Sequence, residues 1–213
     1  MAEVKVLSNC VAVLGDLVAS RAQERTRLHE VLLATIDRAN ERVPGLDPLR
    51  VTVGDEVQGV YPTLGDALRT THLLRNDLFG TADMRFGVGG GDVRIIDEQR
   101  GIQDGNAWWL AREAIDVAEH LATQTGYSGV RTIIRDERAA ALPTTGALVQ
   151  LVDSSIAGLR AGSRRSLIGL LDGLDNAAVA RAEGISESAN SQRVQHNDLR
   201  VLTDAIAALH DLP

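Results

Sequence analysis

The feature that most limits the fold of this chain is the order in which its hydrophobic period changes over the first 125 residues. Apolar residues run together in 10–21, as in a buried strand, and recur every three or four residues in 21–40, as in an amphipathic helix. A strand–turn–strand, a helix, a glycine-rich strand and another helix follow in 49–61, 63–78, 84–97 and 105–122. The order β-α-β-β-α-β-α predicts an α/β (α+β) domain of ferredoxin-like or polymerase-palm type, with helices on one face of a largely antiparallel sheet.

The chain changes character after Gly126. The segment "VRTIIRDE" (130–137) fits one more strand, and from Pro143 onward every segment has a helical pattern. The sequence therefore predicts a palm domain at 1–142 and a small all-α domain at 143–213.

Composition excludes several classes of protein. The formal net charge of −7 argues against a chain that coats nucleic acid through bulk charge, and the single Cys10 excludes an intrachain disulfide or a cysteine-rich zinc site. The longest apolar runs are far shorter than the ~20 residues of a membrane span. The first ten residues also lack the apolar segment that follows the charges of a signal peptide. We therefore expect a cytoplasmic protein with no membrane partner.

Three carboxylates fall at two places that the palm arrangement brings together. In "TVGDEVQGVY" (52–61), Asp55 and Glu56 follow Gly54 at the turn of the predicted hairpin, and Asp16 ends the first strand. Because these two strands are neighbours in a palm-type sheet, Asp16 and Asp55 are expected to converge, with Glu56 as a third carboxylate. Carboxylate oxygens suit Mg²⁺ or Mn²⁺. The alternative is structural, since Gly-Asp is a favoured hairpin turn and Asp16 is then an ordinary strand-end acid.

Two neighbouring motifs have mainly structural interpretations. The glycines of "GVGGGDV" (87–93) lack the Gly-Lys-Ser/Thr ending of a phosphate loop, so they are predicted to let the strand pass close to a neighbouring backbone, with direct phosphate contact as the alternative. Trp108 and Trp109 point about 100° apart on a helix, and core packing is predicted for both, with a pocket or a subunit interface as the alternative for one of them. Asp104 or Asn106 is predicted to cap the helix that follows, with ribose or base recognition as the alternative.

The segment "NAAVARAEGISESANSQRVQH" (176–196) has the pattern of a helix-turn-helix, in which Gly184 makes the turn and Ser186 caps the second helix. The DNA-binding interpretation needs base-reading side chains and phosphate contacts. The candidates for these roles are Gln192, Arg193, Arg164 and Arg165.

Two features favour the alternative interpretation, a helical dimerisation or docking module. Asn190 occupies a position where a helix-turn-helix usually has a buried Val or Ile. From Arg160 onward the chain has six arginines and seven acidic residues, a formal charge of −1, whereas DNA-binding domains gather positive charge.

Several motifs together resemble a known family. The strand ending at Asp16, followed by "VTVGDEVQGVY", "MRFGVGGGDV" and "GNAWWLAREA", resembles the order in class III nucleotide cyclases. More closely, "GDLVASR", "GDEVQG", "RFGVGGGDV" and "DGNAWWLAREAI" resemble the SatD family, a bacterial group in which a cyclase-like palm precedes a helix-turn-helix. The resemblance implies that Asp16 and Asp55 bind metal and that Arg112 stabilises transferred phosphate.

The same resemblance implies a purine nucleotide as ligand, with Gly54, Asp104 and Asn106 at its site, and a homodimer. Two positions depart from the cyclase pattern. Val51 stands where cyclases commonly have a purine-reading lysine, and Trp108 stands where an asparagine is expected. Whether the palm catalyses a reaction is therefore left open.

Three classes of function remain. One is a cytoplasmic regulatory protein, in which a degenerate palm binds metal and nucleotide and a helix-turn-helix contacts DNA or a partner. Another is a metal-dependent nucleotidyl transferase or cyclase, and the last is an inert scaffold for assembly. The aspartates disfavour the scaffold, and the departures at Val51 and Trp108 disfavour the enzyme. The sequence thus favours the regulatory protein.

Overall fold

The computed structural model describes residues 5–18, 25–52 and 54–213. The chain forms, in order, β1 (Lys5–Val18), α1 (Arg25–Arg42), β2 (Asp47–Val51), β3 (Val57–Tyr61), α2 (Leu64–Asp77), β4 (Asp83–Asp97), β5 (Ile102–Asp104), α3 (Asn106–Ala122), β6 (Thr132–Asp136), α4 (Pro143–Gly158), α5 (Ala161–Leu171), α6 (Asn176–Glu183), α7 (Glu187–His196) and α8 (Leu199–His210). The predicted helix start near Arg21 and Val53 of the predicted hairpin lie outside the described residues.

The strands form one mixed sheet with the order β2-β3-β1-β4-β5, in which every neighbouring pair is antiparallel. The first four strands have the ferredoxin-like order, so the predicted fold class is confirmed. β6 pairs in parallel with residues 86–90 of β4, while β5 pairs with residues 94–97 of the same strand. The long strand β4 thus pairs with β6 along one part of its length and with β5 along another. The strand predicted at 130–137 is confirmed by β6.

β1 runs through the middle of the sheet, and its residues 10–15 are buried on both faces. Val11 and Val13 join the main core beneath α1 and α2, whereas Cys10, Ala12 and Leu14 join a second core beneath α3. The prediction that the helices cover one face was therefore wrong for α3. A strand that is apolar on both sides needs cover on both sides, and α3 supplies it.

The glycines of β4 explain how closely α3 can pack. A Cβ atom at Gly87 would lie 2.1 Å from the carbonyl oxygen of Ala111, and one at Gly89 would lie 2.1 Å from that of Ala107. The prediction that these glycines admit a neighbouring backbone is confirmed, and the neighbour is the backbone of α3.

The helices after β6 share the main core with the palm. Val149 and Ile156 of α4 and Ile206 and Leu209 of α8 belong to the same buried cluster as the side chains of α1 and α2. The predicted domain boundary at Leu142 coincides with the start of α4 at Pro143, but the hydrophobic core runs across it.

Three polar contacts join α2 to this helical segment (α4–α8). The guanidinium of Arg75, 3% exposed, pairs with the fully buried Asp153 of α4. His72 Nδ1 and His210 Nε2 of α8 share a hydrogen bond of 2.8 Å. Arg164 of α5 donates from Nη2 to the Arg75 carbonyl oxygen at 3.1 Å.

Three of the helix ends predicted from the sequence are confirmed. Thr63 caps α2, Ser186 caps α7, and Gly184 ends α6 with φ of 65°, all as predicted. The cap of α3, however, is Gly105, with φ of 139° and no side-chain hydrogen bond, so the predicted cap at Asp104 or Asn106 was wrong. Asn106 instead turns sideways, where its Oδ1 accepts from the Asp92 amide at 2.8 Å.

Two further expectations need correction. β1 does not stop at Gly15–Asp16 but continues to Val18, because its last residues pair with the start of β4. Trp109 is 66% exposed, so the core position predicted for it was wrong, whereas Trp108 packs against the second core. None of the helices in the described ranges combines the length and apolar character that a membrane crossing requires.

Candidate functional site

The α3 side of the sheet carries an ion-pair cluster where β1 meets β4. Asp16 stands opposite Arg85 in the antiparallel register, so both side chains project to the same face. Arg85 Nε and Nη2 each donate to a different oxygen of Asp16 at 3.1 Å, and Nη2 lies 3.4 Å from Glu119 of α3. Burial opposes the charge of Arg85, but its hydrogen bonds and ion pairs with Asp16 and Glu119 outweigh burial and raise its pKa.

A second ion pair lies beside the β2–β3 turn. Arg112, in the second turn of α3 and 50% exposed on its side chain, donates from Nη2 to both oxygens of Glu56 at 3.0 and 2.8 Å. Asp55 is exposed in the turn itself, next to Gly54 with φ of 68°. Gly15 pairs with Val57, so Asp16 and Glu56, each one residue beyond that pair, lie on neighbouring segments of the chain.

The predicted metal ligands are Asp16, Asp55 and Glu56. Among the residues that the structure describes, no three His, Cys, Asp or Glu side chains are grouped so as to hold a metal ion. The oxygens of Asp16 are bonded to Arg85, and those of Glu56 to Arg112. Since a divalent cation beside either carboxylate would meet a guanidinium, this arrangement does not fit a metal held by the chain alone.

The residues predicted for a nucleotide lie along α3 and its N-terminal approach. Asp104 is exposed on β5. Asn106 Oδ1 accepts from the Asp92 amide, and Asn106 Nδ2 donates to Glu137 at 3.2 Å. Arg112 is six residues further along the helix, a rise of about 9 Å. Gly54, at the turn, has open space where a side chain would stand. Of the predicted set, only Arg112 presents a half-exposed cation.

The two positions that depart from the cyclase pattern have structural roles. Val51 packs against the main core, on the α1 and α2 side. Trp108 packs against the second core and donates from Nε1 to Gln103 Oε1 at 3.2 Å. Both side chains are thus engaged in packing against the two cores.

The predicted DNA contacts fall into separate groups. Arg165 Nε donates to both Glu183 oxygens at 2.8 Å, and Arg193 Nη1 donates to Glu183 at 3.1 Å and to the Gly162 carbonyl at 3.2 Å. Arg164 points to the palm, with its guanidinium carbon 4.3 Å from the centre of the Phe79 ring. Gln192 is exposed on α7.

Asn190 is 1% exposed, yet its polar groups are satisfied. Its Oδ1 lies 2.7 Å from Ser166 Oγ, and its Nδ2 donates to Asn176 Oδ1 at 3.0 Å. A buried hydrogen-bonded network thus replaces the usual apolar contact at this point of the helix-turn-helix.

Arg85 is the site residue that sequence reasoning missed. It lies two residues before the first glycine of "MRFGVGGG", and the antiparallel pairing of β1 with β4 sets it opposite Asp16. The signal was present in the sequence, but it required the register between two strands about 70 residues apart.

A family model described as the SatD family matches residues 10–208. Among solved structures, the catalytic core of a rhodopsin-guanylyl cyclase in complex with ATPαS is 15% identical over 53% of this chain and 74% of its own, with a TM-score of 0.41. An adenylate/guanylate cyclase/hydrolase from Silicibacter pomeroyi is 23% identical over 53% and 69%, with a TM-score of 0.40. A regulator of polyketide synthase expression from Bifidobacterium adolescentis is 14% identical over 97% and 81%, with a TM-score of 0.32. Among curated proteins, none is significantly similar to this chain.

Proposed function

The chain belongs to the SatD family, and we propose that it is a regulatory protein in which a cyclase-like palm responds to a purine nucleotide and the helical segment passes the response to DNA or a partner protein. The observation that carries this proposal is the core shared by the two parts of the chain. A ligand that shifts the palm shifts elements against which α4 and α8 are packed.

α2 is the element through which such a response would travel. One side of α2 packs into the main core with the sheet, and its His72 and Arg75 contact α8, α4 and α5. Close-packed elements joined by buried polar contacts move together rather than independently. This arrangement supports coupling between the palm and the helical segment.

The ligand site that we propose is the α3 side of the β2–β3 turn. The phosphates of a nucleotide carry more negative charge than one carboxylate and also accept bidentate hydrogen bonds from a guanidinium, so they would draw Arg112 away from Glu56, which is 28% exposed. Mg²⁺ or Mn²⁺ enters the proposal as part of the nucleotide complex, because Asp16 and Glu56 already have arginine partners.

The test measures thermal stability with ATP or GTP, each with and without Mn²⁺. A ligand at 100 times its Kd adds about 2.7 kcal/mol to the free energy of unfolding, and Arg112→Ala should abolish that gain. Arg38→Ala is the matched control, because Arg38 of α1 is 51% exposed and paired with Asp77, and α1 covers the other face of the sheet. Hydrogen exchange should also slow in α5 and α8 when ligand binds. A protein that no nucleotide stabilises would be the inert scaffold.

The second candidate is a metal-dependent nucleotidyl transferase or cyclase. It is favoured by Arg112 and two carboxylates, Asp16 and Glu56, on one side of the sheet. Because core-packed Val51 and Trp108 stand at the expected lysine and asparagine positions, we expect no cyclic or linear product from ATP or GTP with Mn²⁺. A product detected by mass spectrometry and lost in Asp16→Asn would establish the enzyme instead.

A further inference from the structure

A cleft of about 680 Å³ opens beside the second helix of the helix-turn-helix. It lies between the α5–α6 connection, α7 and the start of α8, and we refer to it as the α7–α8 cleft. Its apolar lining includes Leu170, Leu174, Val194 and Val201. Leu174 is 42% exposed and Val201 is 69% exposed, so these side chains are left open to solvent.

The charged residues around the α7–α8 cleft are mainly acidic. Asp175 and Asp198 line it, and Asp204 lines an adjoining depression of about 360 Å³ that shares Leu170 and Leu174 with it. Of the described residues that line these two hollows, Arg200 is the one cation, so their rim has a net negative charge. An apolar floor with an acidic rim complements a helix that carries apolar residues on one face and Lys or Arg beside them.

The three arginines predicted to contact DNA already have partners within the chain. Arg165 and Arg193 both bind Glu183, and hydrogen bonds from the two arginines outweigh burial and hold the pKa of that carboxyl below its usual range. Arg164 is turned to Phe79 of the palm. Arginines held in this way neutralise fewer phosphates, and affinity for DNA depends on the number of phosphates neutralised.

The α7–α8 cleft is also connected to the palm. α8 lines the cleft with Arg200 and Val201 near its start and contacts His72 of α2 with His210 at its end. A ligand effect that reaches α8 therefore reaches one wall of the cleft.

We propose that the α7–α8 cleft docks a basic amphipathic helix of a partner protein, and that this partner is the target of the regulation. The inference rests on the proposed function, because it names the partner of the same helical segment. The apolar face of the partner helix covers Leu174 and Val201, and its cations lie against Asp198 and Asp204.

The test selects from a displayed library of 16-residue amphipathic helices whose polar positions are randomised. We expect the helices recovered on the full chain to be enriched in Lys and Arg and to bind more weakly as salt rises. Val201→Glu and Asp204→Lys should each weaken binding at least tenfold. Leu151→Glu is the matched control, because Leu151 is 67% exposed on α4, away from the cleft. All these variants should melt like the parent.

Three outcomes would overturn the inference. Recovery of no helix that depends on Val201, or of helices without an excess of cations, excludes this docking site. Enrichment of specific duplex DNA that depends on Arg193 would make DNA the target instead. A second copy of the chain is the partner if Val201→Glu abolishes self-association in solution. The nucleotide melting experiment fails or succeeds independently of this selection, so the two proposals are separately testable.

Discussion

At the scale of single residues, we expect the ion pair between Asp16 and Arg85 to weaken the binding of divalent cations by the palm. Arg85 is 13% exposed and neutralises a carboxylate that is 32% exposed. In Arg85→Gln, Asp16 would lose its guanidinium partner, whereas Glu56 would keep Arg112. We expect this variant to bind Mn²⁺ at least tenfold more tightly than the parent in isothermal titration calorimetry. It should also lose about 1–2 kcal/mol of stability, between the values for surface and buried pairs.

Arg94→Gln is the control for that prediction, because Arg94 is an exposed arginine on the same strand. It should change neither Mn²⁺ affinity nor stability by more than about 0.5 kcal/mol. If Arg85→Gln gains no affinity for Mn²⁺, the guanidinium is not what keeps a metal from Asp16.

The paired histidines make stability depend on pH. Burial, with His210 and Arg75 nearby, lowers the pKa of His72 to about 3, and burial and Arg69 lower that of His210 to about 4. The unfolded chain takes up protons near pH 6.5, whereas the folded chain does not. Stability is therefore fully present above about pH 6.5 and is lost as pH falls toward 4, by at most ~1.4 kcal/mol per pH unit for each histidine.

Urea unfolding between pH 8 and pH 5 measures this dependence. His72→Gln should make the loss of stability below pH 6.5 less steep, whereas replacement of the exposed His29 by Gln should not. Equal slopes for the parent and His72→Gln would contradict the assignment of neutral, hydrogen-bonded rings.

At the scale of elements, the packing of α3 on β4 depends on the bare backbone of Gly89. Gly89→Ala places a Cβ atom 2.1 Å from the Ala107 carbonyl oxygen, so the helix must shift. We expect it to destabilise the fold by at least about 1–3 kcal/mol. Gly146→Ala in α4 meets nothing within 4 Å and should stabilise by up to about 1 kcal/mol, because alanine favours the helix. Denaturant melts that rank the two variants the other way would refute this account.

The order of elements was predictable because each hydrophobic period is local. The face on which α3 packs was not, because "CVAVL" is apolar on both sides of the strand and does not say which helix covers which side. Trp109 was misplaced for a similar reason. Consecutive positions on a helix point about 100° apart, and only the packed helix shows that Trp108 faces the second core.

The candidate site was predictable in part. Its carboxylates and Arg112 lie in short motifs that the sequence shows directly, whereas the hydrogen bond from Arg85 to Asp16 depends on strand register. The hydrogen-bonded network around Asn190 was also not predicted, because Ser166 and Asn176 contact Asn190 only through helix packing.

At the scale of the whole molecule, the core that crosses Leu142 predicts one unfolding transition. Trp fluorescence reports on the palm, because Trp108 and Trp109 both lie on α3, while helical circular dichroism includes α4–α8. We expect both signals to change at the same urea concentration. Two separate midpoints would mean that 1–142 and 143–213 unfold as independent domains. The sequence indicated that boundary from a change of pattern, but contacts such as Ile206 with the palm core leave no local trace.

The position of β1 has a consequence for synthesis on the ribosome. β1 ends at Val18, but its partners β3 and β4 end only at Tyr61 and Asp97. At a translation rate of about 5–20 residues per second, the most apolar strand waits roughly 4–16 s for its second neighbour. During that interval at least one edge of a long strand is open to other nascent chains. Expression at lower temperature or with a holdase chaperone should therefore raise the yield of folded protein more than any change to the mature surface.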